Sequence, residues 1–213
     1  MYERLRTEMV QKFVIDAGIR NEVTISAMRR IPRHLFVESA LVHQAYSGAS
    51  LPIGFGQTIS HPTTVAWMTD ALEIKEGEKV LEVGTGSGYQ AAVLAQMGAK
   101  VFTIERIAQL AEKARKIFSE LGYFSIAVQI GDGTMGWTQY APFDKIMVTA
   151  GSPEIPDALI NQLADNGKLI IPVGNINDQN YQIIVRENNL IKTSSTKSGS
   201  FVPLIGRKGW KKN

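Results

Sequence analysis

Val80-Leu81-Glu82-Val83-Gly84-Thr85-Gly86-Ser87-Gly88-Tyr89 carries an apolar strand into a glycine-rich turn and then into a helix. Such a turn presents bare backbone at the carboxyl end of a strand, where open α/β sheets bind their ligands. The glycines are spaced G-x-G-x-G. The dinucleotide fingerprint G-x-G-x-x-G would need glycine at position 89, and Tyr89 stands there. The plain alternative is a tight strand-to-helix turn that holds nothing.

Outward from this stretch the pattern alternates. Strands are expected over 79–83, 101–105, 126–130, 145–149 and 168–173, with helices over 89–97, 107–121 and 156–163 and a weak helix or loop after 130. Strands separated by helices imply right-handed crossovers and a parallel sheet covered on both faces. Beyond Val173 the pattern changes: 181–186 and 190–194 flank Asn188-Asn189 as a hairpin, and 201–204 reads as one more strand. Before Glu76 the chain reads as mostly helical. Leu5, Met9, Val10, Phe13 and Val14 share one face, Gly18 stops that helix, Asn21 caps the next, Gly48 to Gln57 reads as a loop, and Pro62 opens a third helix. The fold class is therefore α/β and Rossmann-like: a mostly parallel sheet with an antiparallel C-terminal addition and helices on both faces. The expected organisation is one domain over 1–213, with a helical cap and substrate loop (1–75), a cofactor-binding core (76–174), and C-terminal strands with a basic tail (175–213).

Composition narrows the class. The chain has 213 residues, 44% hydrophobic and 20% charged, as expected of a globular domain with a full core. With no cysteine there is no disulfide, no thiolate zinc site and no cysteine nucleophile. The net charge of +3 is too mild for a nucleic-acid partner, and much of it sits in the tail at Arg207-Lys208 and Lys211-Lys212. The N-terminal residues do not form a secretory signal, and no apolar run reaches membrane-spanning length. The expectation is a cytoplasmic monomer with neither membrane nor nucleic acid as partner.

Three strand ends carry candidate ligand contacts. Glu105 closes the second strand of the alternation, 21 residues after Gly84, where a carboxylate can accept from both hydroxyls of a ribose; the alternative is a surface residue. Glu82 lies inside the first strand, where a buried carboxylate needs a partner, either a ligand ammonium or loop N–H groups. Gly131-Asp132-Gly133 follows the third strand and offers a carboxylate to an adenine amino group, or is an ordinary turn. Thr149-Ala150-Gly151 ends the fourth strand with small side chains. Together with G-x-G-x-G, these favour S-adenosyl-L-methionine over NAD.

The chain resembles the protein-L-isoaspartate O-methyltransferases along nearly its whole length. The stretches that carry the resemblance are Ile31 to Val37, Leu51-Pro52-Ile53-Gly54-Phe55-Gly56-Gln57-Thr58-Ile59-Ser60, Val80 to Gln90, Val101 to Ile107, Gly131-Asp132-Gly133, Phe143 to Pro156 and Phe201-Val202-Pro203-Leu204. The run from Leu51 to Ser60 is the most specific of them. The resemblance implies methyl transfer from S-adenosyl-L-methionine to the free carboxylate of L-isoaspartyl residues in peptides and in unfolded or damaged proteins. It implies Ser60 as the active-site serine, with Gln57, Thr58 and Ile59 across the cofactor. The cofactor set is completed by Glu82, Gly84, Thr85, Gly86, Ser87, Gly88, Glu105, Arg106, Gly131, Asp132, Gly133 and Thr149. Ile53, Ser60, Val202 and Leu204 would receive the peptide, and no metal is expected. One departure stands out: Ser47-Gly48 replaces the acidic residue that often follows the tyrosine matching Tyr46.

The acceptor carboxylate is ionised at neutral pH and needs alignment rather than a general base. A serine hydroxyl can orient it with one hydrogen bond. His34, His43 and His61 form no base–nucleophile constellation, and no role is assigned to His61. From the residues alone, Ser60 also reads as the cap of the following helix, Arg29, Arg30 and Arg33 as a solvated helix end, and Trp67 and Trp137 as core or lid. Three other readings compete: a methyltransferase for a small molecule or RNA, a dinucleotide-dependent oxidoreductase, and a binding module without an acceptor site. A stronger basic face would favour RNA, and glycine at 89 would favour the oxidoreductase.

Overall fold

The computed structural model describes residues 1–188 and 190–211. The cap begins with α1 (Tyr2–Val10), which continues as a π-helical turn over Gln11–Ile15. In α2 (Glu22–Arg30) the Asn21 side chain accepts from the N–H groups of Val23 and Thr24, as a cap should. A short turn over Arg33–Phe36 follows, and then a two-stranded antiparallel hairpin of β1 (Leu51–Gly54) and β2 (Gln57–Ile59). This hairpin replaces the expected loop. Its glycines hid an alternation in which Leu51, Ile53 and Ile59 point inward. Pro62 opens α3 (Pro62–Leu72).

The core is a seven-stranded sheet. Its parallel part holds β3 (Lys79–Val83), β4 (Lys100–Glu105), β5 (Ala127–Ile130), β6 (Phe143–Val148) and β7 (Leu163–Gly174), and β8 (Gln179–Glu187) and β9 (Leu190–Gly199) add on antiparallel. The spatial order is β5-β4-β3-β6-β7-β8-β9. The chain runs outward from β3 to β5 and then returns to lay β6 on the other side of β3. The order reverses there, and a crevice opens at the carboxyl ends of β3 and β6.

Side chains alternate between the two faces of the sheet, and because the central strands are buried on both faces the core is divided in two. Val80, Val101, Met147 and Ile170 pack beneath α3, α4 (Tyr89–Gln96), α5 (Ala108–Glu120) and the N-terminal helices. Leu81, Val83, Ile104, Ile146 and Val148 face the other way, toward α6 (Asp157–Asn161) and the C-terminal segment. On that side the region expected as a weak helix or loop forms two short 3₁₀ turns, and Trp137 and Tyr140 pack on Phe102.

Two further expectations need correction. The helix over 156–163 shrinks to five residues because Leu163 pairs with Phe143 and draws the chain into β7. Residues 201–204 form no strand. Only the bridge between Gly151 and Pro203 is made, since proline lacks the N–H that would extend a ladder. Of the Asn188-Asn189 turn, Asn188 adopts a φ of 50° between β8 and β9, whereas Asn189 lies outside the described residues, as does Lys212 of the basic tail.

Gly88 precedes α4 as its N-cap with a φ of +89°, and a Cβ there would lie 2.8 Å from the buried Phe118 ring. Gly88→Ala should therefore lose about 2–4 kcal/mol through backbone strain and overpacking, read as a lower urea midpoint at unchanged m-value.

Candidate active site

The glycine turn is held open from the neighbouring strand. Glu105, buried at the tip of β4, accepts from the Gly86 N–H at 2.9 Å through one oxygen and from the Ile107 N–H at 2.9 Å through the other. On the other side Thr149, just past β6, donates its hydroxyl to the Gly84 carbonyl at 2.7 Å. A side chain at Gly84 would collide with that Thr149 hydroxyl. At Gly86 a Cβ would meet only Ile53, at 3.6 Å. Packing leaves room there, and glycine keeps the cleft wall bare.

A cleft of about 610 Å³, open solvent at its mouth included, lies over this turn. Gly84, Thr85, Gly86, Ser87 and Glu105 form its floor; Gln57, Thr58, Ile59 and Ser60 form its roof; Thr149 and Val202 close one side. Among the described residues lining it, Glu105 carries the only formal charge, and no lysine or arginine is present. Beside Ser60 a smaller polar cavity adjoins, lined by the hydroxyl residues Ser50, Thr58, Ser60, Thr64, Thr149 and Ser200 together with His61, Phe201 and Val202. The two share Thr58, Ser60, Thr64, Thr149 and Val202.

Other expected site residues lie elsewhere. Gly133, Arg106 and Leu204 line a third cavity beyond Glu105, so Leu204 does not reach the Ser60 pocket. Gly131 and Asp132 line none of these three cavities. The Asp132 carboxylate takes hydrogen bonds from the N–H and hydroxyl of Thr134 and from the Arg207 N–H, and so anchors the C-terminal segment. Burial opposes its ionisation, but these bonds outweigh it and hold its carboxyl below the usual range. Gly88 and Ile53 support the turn from below and above.

Glu82 is fully buried. One oxygen accepts from the Thr103 hydroxyl at 2.5 Å, and Thr103 in turn bonds Thr85; among the described residues the other oxygen has no partner. Burial pushes its carboxyl up to about 8, an effect that the Thr103 bond opposes and the charge of Glu105 reinforces.

Two readings of the sequence are overturned here. Ser60 is not the cap of α3. The His61 ring takes that place, its Nδ1 accepting from the Thr63 N–H at 3.0 Å. Burial and the nearby Arg33 charge hold His61 below its ordinary value, opposed by a bond to the Gly48 backbone. A neutral ring whose Nδ1 is occupied has no free lone pair for base catalysis. Arg33 is not a solvated helix end either, since it is completely buried. Sequence reasoning also missed Thr64, Val65 and Met68 of α3 and Gln90 of α4 as cleft lining. Their helical spacing marks a common face and does not say what that face meets. Gly48, at the departure from the family pattern, has the Phe13 ring against it and admits no side chain.

The sequence profile of protein-L-isoaspartate(D-aspartate) O-methyltransferase (PCMT) matches residues 4–209. The chain belongs to the protein-L-isoaspartate O-methyltransferase family. It is 50% identical to the protein-L-isoaspartate O-methyltransferase of Syntrophus aciditrophicus, over 98% of this chain and 97% of that one. It is 51% identical to protein-L-isoaspartate O-methyltransferase 2 of Geotalea uraniireducens, over 96% and 95%. Among solved structures, a protein-L-isoaspartate O-methyltransferase superposes with a TM-score of 0.86 at 26% identity, covering 98% of this chain and 67% of that one. A Plasmodium falciparum structure described as a beta-aspartate methyltransferase in complex with S-adenosyl-L-homocysteine shares the fold, with a TM-score of 0.82 at 23% identity over 94% of this chain and 98% of that one.

Enzymes of the protein-L-isoaspartate O-methyltransferase family depend on S-adenosyl-L-methionine, and the residues here fit that group. The bare wall at Gly86 would be filled by a side chain, Glu105 offers unused lone pairs to ribose hydroxyls, Glu82 keeps a free carboxyl oxygen, and the cleft lacks the basic groups that a pyrophosphate would favour.

The raised Glu82 value sets a pH dependence. The folded protein keeps a proton that the unfolded chain gives up above about pH 4.3, so this group's stabilising contribution falls as pH rises toward about 8. Glu82→Gln should flatten that slope: between about pH 5 and about pH 8, the melting temperature of the variant should fall less than that of the wild type.

Proposed function

We propose that this chain transfers the methyl group of S-adenosyl-L-methionine to the free side-branch carboxylate of L-isoaspartyl residues in peptides and in damaged or unfolded proteins. The observation that carries the reading is the meeting, at Ser60, of two unlike cavities: an acid-lined cleft without bases and a pocket lined by hydroxyls. The first suits a cationic sulfonium nucleoside. The second suits an anion that must be oriented without being trapped in an ion pair.

The cofactor supplies an electrophilic methyl group. The protein's part is placement. Gly84 and Gly86 would present backbone to the amino-acid end, Glu105 and Arg106 would flank the ribose, and Gly133 would border the base through the third cavity. Gln57, Thr58 and Ile59 cover the cofactor and exclude water. Ser60 donates its hydroxyl to one oxygen of the acceptor carboxylate, leaving the other free to attack. That carboxylate is already ionised at neutral pH, so no side chain needs to remove a proton. His61, spent on capping α3, is consistent with this. Val202, which lines both cavities, would meet the peptide at the pocket mouth.

A normal aspartyl carboxylate, carried on a different backbone branch, would sit out of register with Ser60. The enzyme works as a cytoplasmic monomer, and no helix among the described residues is long and apolar enough to cross a membrane.

Radiolabelled methyl transfer to a peptide with one isoaspartate, against the matched aspartate peptide, tests the reading. Ser60→Ala should lower kcat by about 10- to 100-fold and change cofactor affinity little. Equal labelling of both peptides, or losses in kcat and cofactor affinity that track each other, would contradict it.

A further inference from the structure

Arg33 occupies a position that folding alone would rarely give to a charge. Its side chain is completely buried, and none of the groups that act on it is a carboxylate. Its Nε and Nη2 are instead spent on three backbone carbonyls, while Nη1 has no hydrogen-bond partner among the described residues. Nε donates to Ala45 at 2.9 Å, and Nη2 donates to both Ala49, at 3.3 Å, and Ser60, at 2.7 Å. Beneath the guanidinium lies the Tyr89 ring, with its centroid 4.8 Å from Cζ.

The partners define a place. Ala49 and Ser60 flank the hairpin formed by β1 and β2, one at each end, so a single nitrogen ties the two ends together. Tyr89 is the residue that follows the G-x-G-x-G turn and starts α4. Arg33 thus touches the root of the cleft's roof and the root of its floor. Ser60, whose carbonyl takes the shortest of the three bonds, is also the residue whose hydroxyl lines the acceptor pocket. The planar fork with several donors is what the arrangement uses; an ammonium on a flexible stem cannot reach three carbonyls held in one geometry.

We propose that Arg33 is a positioning residue for methyl transfer: its guanidinium clasps the base of the 51–59 hairpin against Tyr89 and so fixes the Ser60 hydroxyl relative to the glycine turn. The inference rests on the methyl-transfer reading above. It adds a residue that touches neither the cofactor cleft nor the acceptor pocket and acts through the hairpin.

Arg33→Lys keeps the charge and loses the fork, and Arg33→Met removes both. Each is assayed well below its own melting temperature, with peptide and cofactor saturating, beside hydrogen exchange of the backbone amides over 51–60 in the free protein. In the lysine variant, kcat should fall by about 10- to 100-fold through misplacement of Ser60. The hairpin amides should exchange roughly tenfold faster while those of β3 and β6 keep their rates. The methionine variant should show at least the same losses. Wild-type kcat in the lysine variant, or unchanged exchange over 51–60, overturns the proposal. Failure of both variants to fold also overturns it, by assigning Arg33 to the fold alone. A wild-type protein that methylates no isoaspartyl peptide sinks the acceptor reading instead, and the exchange comparison still decides whether the clasp exists.

Discussion

The Glu105 carboxylate joins two strand tips by taking the Gly86 N–H on one oxygen and the Ile107 N–H on the other. A loop of three glycines has little reason of its own to stay open, because each gives up more backbone freedom on folding than any other residue would. The carboxylate fixes the middle glycine from β4, and the Thr149 hydroxyl fixes the first from the end of β6. Both bonds come from strands that neighbour β3, and the second exists because the chain returned to place β6 beside β3 rather than beyond β5. Topology, turn and acid together make a bare wall with a negative group beside it.

The rest of the site is assembled on that wall. The hairpin supplies a roof, and its last residues bring hydroxyls to the edge where the cleft meets the polar pocket. The division of charge follows the division of chemistry. A lone carboxylate lines the donor cleft, hydroxyls and the His61 ring line the acceptor pocket, and burial holds that ring below its ordinary value while its Nδ1 caps α3. A reaction between a cationic donor and an anionic acceptor needs its partners aligned and dry more than it needs proton transfer. The cost shows at Glu82 and Arg33, two buried ionisable groups without opposite charges, held by a threonine hydroxyl in one case and by backbone carbonyls in the other.

Much of this was legible in the sequence, and the reason is local. The strand–turn–helix at 80–89, the acid at 105 and the cap at Asn21 each declare themselves within a few residues, through period, glycine spacing or a capping side chain. What was illegible depends on distance. Arg33 finds its carbonyls 12, 16 and 27 residues away, so nothing beside it in the chain separates a buried clasp from an exposed helix end. The β1–β2 hairpin was masked by its own glycines, and β7 began early because Leu163 found Phe143 across a crossover. His61 displaced Ser60 as the cap because an imidazole Nδ1 can do a serine oxygen's work, a substitution that capping preferences do not advertise.

The central claim is that the wall between β3 and α4 receives a sulfonium nucleoside. Titration calorimetry of the free protein with S-adenosyl-L-homocysteine and, separately, with NAD tests it most directly, with Gly86→Val as the control for place. The account predicts saturable one-to-one binding of the nucleoside, none of NAD, and loss of binding in a variant that still melts cooperatively. Binding of NAD in preference, or undiminished nucleoside binding when Gly86 carries an isopropyl group, would contradict it.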